Sequence, residues 1–283
     1  MAHPQHPYVK QVNRCATVAF SPTSPYIATG TMAGAIDLSF STTACLEVFK
    51  LDYSDPSSAM PLAGGAVATS ERFHRLVWGP AGSETEDMPH SILAGGLVDG
   101  TVNLYNPARI IGSPVGGEPS DGAGGALVTK MQKHTGPVRG LEFNSFSPNL
   151  LASGAEDGEL CIWDLAKPSA PSLYPALKGG AGGQPGAGEV SFLAWNKKVQ
   201  HILASSSLNG TTVVWDLKRQ RPVISFTDPN SRRRCSALQW NPEVATQLIV
   251  ASDDDRSPSL QIWDLRNSIS PAREFVGHSK GVL

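Results

Sequence analysis

His134, Ser153 and Asp157 are the one place in this chain where a histidine, a serine and an aspartate recur together. In that combination an imidazole can take a proton from a hydroxyl while a carboxylate orients the ring, which is the equipment of a nucleophilic hydrolase. Other residues invite other chemistry. Arg232, Arg233 and Arg234 form a dense basic patch able to receive an acidic partner or lipid headgroups. Asp253, Asp254 and Asp255 are its acidic counterpart a short way along the chain. Three adjacent carboxylates lack the alternating ligand spacing and the glycine of a calcium loop, so mutual neutralisation with the arginines is the expectation. Asn209-Gly210-Thr211 fits a glycosylation acceptor but equally a hairpin turn, and Gly179-Gly180-Ala181-Gly182-Gly183 lacks the Gly-Lys-Ser/Thr that would make it a phosphate cradle. His74 and His201 flank apolar strand ends and read as structural. Cys15, Cys45, Cys161 and Cys235 contain no Cys-x-x-Cys pair and no histidine at zinc-ligand spacing, so neither a metal nor a cofactor is expected.

Which of these readings survives depends on the elements that carry the residues. An apolar-x-x-apolar-x-aromatic pattern recurs at Cys15/Val18/Phe20, Phe73/Leu76/Trp78, Val138/Leu141/Phe143, Val190/Leu193/Trp195 and Cys235/Leu238/Trp240, with a period of 45–65 residues. Each copy leads to a second apolar run containing Ala28, Ala94, Ala152, Ala204 or Ala251. Five residues after the alanine, three copies place Asp99-Gly100, Asp157-Gly158 or Asn209-Gly210. These dipeptides tolerate positive φ and are strong hairpin signals. A third strand then ends in Tyr105, Trp163 or Trp215, eleven residues after the alanine. Copy five reaches Trp263 after twelve and copy one reaches Phe49 after twenty-one, so the template bends but persists.

Trp163-Asp164, Trp215-Asp216 and Trp263-Asp264 supply the dipeptide that names the WD repeat, and the chain resembles an all-β WD-repeat β-propeller. Five blades are predicted, at about 8–60, 70–112, 130–168, 188–222 and 232–272, with 273–283 as the first strand of a sixth and the ring left incomplete. That count predicts a piece of a longer protein. Segments 54–70, 112–130 and 168–188, rich in glycine, alanine, proline and serine, are expected to be mobile surface loops. Within the third copy, His134, Ser153, Asp157 and Trp163 now fall into the family's hydrogen-bonded tetrad, which satisfies several buried polar groups at once. A saturated buried network has no open position for a substrate, so the sequence reads as no enzyme. Copy four keeps Ser205 and Trp215 but has Asn209 and no equivalent histidine, and copy two has Gly95 and Tyr105, so packing must hold those blades.

Composition agrees. With 23 Lys+Arg against 25 Asp+Glu there is no global basic field, so no nucleic-acid partner is expected. No run approaches the ~18 apolar residues of a membrane span, and the start lacks a signal-peptide pattern, which predicts a cytosolic protein with reduced thiols.

The details go beyond a generic blade. Thr29 to Ser41 and Leu46 to Asp52, then Arg75-Leu76-Val77-Trp78-Gly79-Pro80, Gly136 to Asn144, Trp195 to Ser205, Arg233 to Ser236, Trp240-Asn241-Pro242 and Ala251 to Asp255 resemble the family of the larger COPII outer-coat subunit, Sec thirty-one, in its plant and green-algal members. The resemblance implies an amino-terminal propeller of a structural scaffold in the cage around vesicles budding from the endoplasmic reticulum towards the Golgi. It implies a Sec thirteen-type partner and other copies of the same subunit at cage vertices. Contacts with the inner coat and its Sar GTPase are implied only through regions this sequence lacks. Placement is then cytoplasmic and peripheral, at exit sites of the endoplasmic reticulum and on coated vesicles. The alternative is a peptide-binding WD-repeat adaptor unrelated to coats.

Overall fold

The computed structural model describes residues 9–34, 43–55, 57–80, 82–116, 120, 121, 125–174, 188–229 and 233–282. Residues 35–42 of the first blade's insertion, Arg232 and the glycine run at 179–183 lie outside them.

Five antiparallel sheets follow one another along the chain. Blade one comprises β1 (Ala16–Phe20), β2 (Tyr26–Thr31), β3 (Cys45–Lys50) and β4 (Val67–Ala68). Blade two begins with β5 (Phe73–Trp78), β6 (Leu93–Leu97) and β7 (Thr101–Tyr105). A helix, α1 (Pro107–Ile111), and a two-residue strand, β8 (Ser120–Asp121), intervene before its outer strand β9 (Leu127–Gln132). Blade three is β10 (Val138–Phe143), β11 (Leu150–Ala155), β12 (Leu160–Asp164) and β13 (Ser172–Leu173). Blade four is β14 (Val190–Trp195), β15 (Ile202–Ser207), β16 (Thr211–Asp216) and β17 (Arg221–Thr227). Blade five is β18 (Cys235–Trp240), β19 (Gln247–Ser252), β20 (Ser259–Asp264) and β21 (Arg273–Val276). The inner strands neighbour in the order β1, β5, β10, β14, β18, and the ring stays open.

The hairpins form where the dipeptides predicted. Gly100, Gly158 and Gly210 have φ of 86°, 74° and 84°, the left-handed region that glycine enters without steric cost. The residue before each glycine caps its turn: Asp99, Asp157 and Asn209 accept the backbone N–H two residues on, at 3.0, 2.9 and 3.0 Å. The WD aspartates do the same at the other face, where Asp164, Asp216 and Asp264 accept from Ala166, Lys218 and Arg266 at 2.9, 2.9 and 3.1 Å. Apolar faces of adjacent blades then pack together, as in the cluster of Phe192, Phe226, Leu238, Trp240 and Trp263 between blades four and five.

The sequence-based blade boundaries need correction at their outer edges. The outer strand of blade two lies at Leu127–Gln132, beyond the assigned end at 112, and that of blade three at Ser172–Leu173, inside a segment read as loop. Blade five ends with Arg273–Val276, which pairs with Ser259–Ile262 rather than opening a sixth blade. Outer strands are sheet edges with solvent beyond them, so they lack the continuous buried runs of the second and third strands; all four residues of β21 are exposed. The restart falls later: Val282 N–H donates to Ser252 O at 2.8 Å, beside the end of the preceding blade's second strand, as Phe73 lies beside Met32.

The segments read as loops at 54–70 and 112–130 also hold order. Strand β8 pairs in parallel with β4, so residues from blade two's outer connection extend blade one's sheet. Helix α1 precedes this crossing, capped by Asn106, whose side chain accepts from Ala108 N at 3.0 Å. Gly64 lies against it so closely that a Cβ there would sit 1.8 Å from the Ile110 carbonyl oxygen.

Candidate functional site

The tetrad of blade three is assembled from two strands, β11 (Ser153) and β12 (Trp163), the loop before β10 (His134) and the β11–β12 turn (Asp157). His134 Nδ1–H donates to Asp157 at 3.2 Å, the Ser153 hydroxyl donates to His134 Nε2 at 2.8 Å, and the Trp163 indole N–H donates to Ser153 Oγ at 2.8 Å. Asp157 also accepts Thr135 N–H and Glu159 N–H, both at 2.9 Å. Ser153 is fully buried and His134 and Trp163 nearly so. A serine oxygen committed to an indole on one side and an imidazole on the other, with no surface of its own, cannot meet a substrate. Chemically the four residues are a clasp that ties the loop leading into the inner strand to the second and third strands.

Burial lowers the His134 pKa against the pull of the Asp157 carboxylate, and burial likewise lowers that of His74, with Arg139 adding to it. A histidine whose folded pKa is depressed binds fewer protons folded than unfolded, so it stabilises above the unfolded value and that stability is lost as pH falls through it. The urea midpoint of the chain is therefore expected to drop between about pH 7 and about pH 5. His134→Gln should flatten that dependence; a midpoint insensitive to pH over that interval would contradict the neutral clasp.

Other blades solve the same problem differently. Blade four keeps half of the clasp, Trp215 N–H donating to Ser205 Oγ at 2.9 Å. In blade five the strand pairing places Leu248 opposite Trp263 and Val250 opposite Gln261, so an apolar residue takes the serine position. Trp263 N–H donates instead to Gln261 Oε1 at 3.2 Å, Gln261 Nε2 donates to Asp228 at 2.7 Å, and Arg233 joins Asp228 at 3.4 Å and Glu274 at 2.7 Å. Arg233 is thus held by two carboxylates within the blade. Arg234 remains exposed and pairs with Asp253 at 3.1 Å, while Asp254 and Asp255 pair with Arg256 and Lys280.

A set of joints between blades went unread in the sequence. In blades four and five the tryptophan that ends the first strand reaches back: Trp195 Nε1–H donates to Glu142 O at 3.0 Å and Trp240 Nε1–H to Ala194 O at 2.9 Å. The following asparagine reaches forward, Asn144 Nδ2 to Gln200 O at 2.9 Å and Asn196 Nδ2 to Ala245 O at 2.8 Å. Their side-chain oxygens cap the local turn at the same time. The available signal was an aromatic-Asn pair recurring at the end of the first strand in copies three to five.

A rigid row of blades with sealed interiors leaves its rims and faces as working surface, and the comparisons with known proteins agree. The family model described as "WD domain, G-beta repeat" matches residues 125–164, which run from the outer strand of blade two through three strands of blade three. Over 275 residues the chain is 58% identical to "Protein transport protein SEC31 homolog B" of Arabidopsis thaliana, covering 97% of this chain and 24% of that protein. Human "Protein transport protein Sec31A" is 42% identical over 278 residues, again 97% of this chain but 22% of the relative. The chain thus spans about a quarter of the length of these relatives. A chain of the solved structure "COPII on membranes, outer coat vertex" superposes with a TM-score of 0.75 at 30% identity, covering 96% of this chain and 66% of that one. With an identity of 58% over 97% of its length, the chain is a WD-repeat propeller segment homologous to the Sec31 protein transport proteins.

Proposed function

We propose that this propeller is a structural component of the COPII outer coat, supporting vesicle budding from the endoplasmic reticulum towards the Golgi through protein–protein contacts. The observation that carries this reading is the extent of the likeness to the outer-coat vertex structure, which takes in 96% of the chain rather than one repeat. The physical chemistry suits the role. The blades are sealed by buried clasps and backbone-reaching tryptophans, so their rims hold a fixed geometry. Many weak rim contacts in a lattice add up through multivalency without any one being tight. On this reading the partners are outer-coat subunits, a Sec13-type protein and further copies of the Sec31-type subunit. The protein works from the cytoplasmic side, peripheral to membrane at exit sites, with no substrate and no cofactor. Of the described residues of the basic patch, Arg234 is the exposed side chain that offers a rim contact.

An antibody raised against blade four tests the reading in a cell extract. It is expected to co-precipitate outer-coat subunits and to recover the protein from vesicle fractions derived from the endoplasmic reticulum. Recovery wholly in fractions free of those membranes, without any outer-coat subunit, would overturn it.

A further inference from the structure

Blades three and four leave a cleft between them on the face that carries the WD aspartates. It lies where the outer strand of blade three, β13, has two residues against the seven of β17 in blade four. Just past β13, Tyr174 N–H donates to Ile162 O at 3.0 Å, which sets Tyr174 beside Ile162 while leaving it 48% exposed. Blade four supplies the facing wall. Leu217 N–H donates to His201 O at 3.0 Å, and Leu217 packs against the cluster that holds Ile162 and Trp195. The result is a cavity of about 280 Å³ walled by Leu150, Ile162, Tyr174, Trp195 and Leu217. That volume lies at the small end of ligand sites and suits one or two large apolar side chains.

The rim of the cleft is polar and carries one sign of charge. Gln200, His201, Lys218 and Gln220 complete the lining, and none of the described lining residues is acidic. Lys218 and, three residues on, Arg221 are both exposed, and neither makes an ion pair among the described residues. Arg219 between them is held by Asp216 at 3.5 Å. The carboxylates nearest in the chain are engaged. Asp216 also accepts Lys218 N–H at 2.9 Å, and Asp164, two residues past Ile162, accepts Asn149 Nδ2–H at 2.7 Å and Ala166 N–H at 2.9 Å. Gln220 has a φ of 53°, where glycine would be at ease, so a strained residue keeps its side chain on the cleft. Apolar walls under a cationic rim favour a ligand with both characters. A lone small anion gains nothing from Leu150, Ile162 and Leu217, and a wholly apolar segment leaves Lys218 and Arg221 unmatched.

We infer that the cleft between blades three and four takes a short linear segment of a partner protein in which one or two leucine-sized side chains are flanked by acidic residues. This goes beyond the coat reading and does not depend on it, because binding is read on the 283-residue chain alone. Fluorescence anisotropy with a fluorescein-labelled hexapeptide, two leucines between pairs of glutamates, is expected to show saturable binding. Replacing the leucines by serines should abolish it, since the walls then gain no apolar contact. Lys218→Glu reverses the charge on the rim and should weaken binding about tenfold or more. Tyr174→Ala removes one wall without touching charge and should weaken it about fivefold or more. Both positions are exposed, so thermal melts should match the wild type. Arg256→Glu, at an exposed cation in the β19–β20 turn of blade five, should leave binding unchanged. The assignment is overturned if the wild-type chain does not bind the leucine peptide, if the serine peptide binds as tightly, or if Arg256→Glu weakens binding as much as Lys218→Glu. Binding to vesicles of phosphatidylcholine and phosphatidylserine that is lost in Lys218→Glu, with no binding of the peptide, would make the cleft a membrane contact instead.

Discussion

Trp163→Ala is expected to destabilise the chain by about 3–5 kcal/mol in urea unfolding. The ring is buried among Phe143, Leu151, Val138 and Cys161, so removal leaves a cavity in a close-packed cluster. It also removes the N–H held by Ser153 Oγ, and so takes one bond from a serine with no access to water. Trp163→Phe separates the two losses, because it keeps most of the ring and deletes the donor, with an expected cost of about 1–2 kcal/mol. Trp163→Ala costing less than about 1 kcal/mol would contradict the packing described for blade three.

The second large effect concerns the blade in which the clasp is missing. Phe73→Ala is expected to cost about 3–5 kcal/mol, since the ring is wholly buried and wedged between the first two blades. Two glycines make room for it: a Cβ at Gly30 would lie 2.5 Å from Phe73 Cδ2, and one at Gly95 would lie 2.3 Å from Phe73 Cε1. Gly95 stands where blade three has Ser153: it pairs with Asn103, two residues before Tyr105, as Ser153 pairs with Cys161, two residues before Trp163. Restoring the family residue with Gly95→Ser should therefore harm the protein, by about 1–3 kcal/mol, through overpacking. In the double variant the hydroxymethyl group enters the space the ring has vacated, so the two costs should sum to more than the double variant loses. Strict additivity, or a neutral Gly95→Ser, would show that the ring and the glycine do not share that space.

Much of this was legible in the sequence, for reasons that differ by residue. Asp99-Gly100, Asp157-Gly158 and Asn209-Gly210 marked the hairpins because the turn demands positive φ and few residues supply it. The clasp at His134, Ser153, Asp157 and Trp163 was legible because four side chains able to hydrogen-bond fall at fixed offsets within one copy of a repeated frame. The outer strands were not, because an edge that faces solvent places no periodic demand on its side chains. The ion pairs of Arg233 were not legible either, because charge density in a sequence says nothing about whether Asp228 and Glu274 lie in reach. The pairing of Phe73 with Gly30 and Gly95 joins residues that only the packing of adjacent blades brings together. Asn144 and Asn196 hid in plain view, since one asparagine does both the local turn and the joint to the next blade.

The short strand Ser120–Asp121 pairs with Val67–Ala68 of the sheet before its own, after the chain has already laid down three strands of the second blade. During synthesis from the amino terminus, the first sheet consequently waits for residues made much later before its outer backbone groups are met. The smallest unit able to leave the ribosome in finished form is then the pair of blades rather than the single blade. Ribosome-bound chains stopped after residue 70 should display that first edge to chaperones, and chains carrying residue 121 clear of the exit tunnel should not.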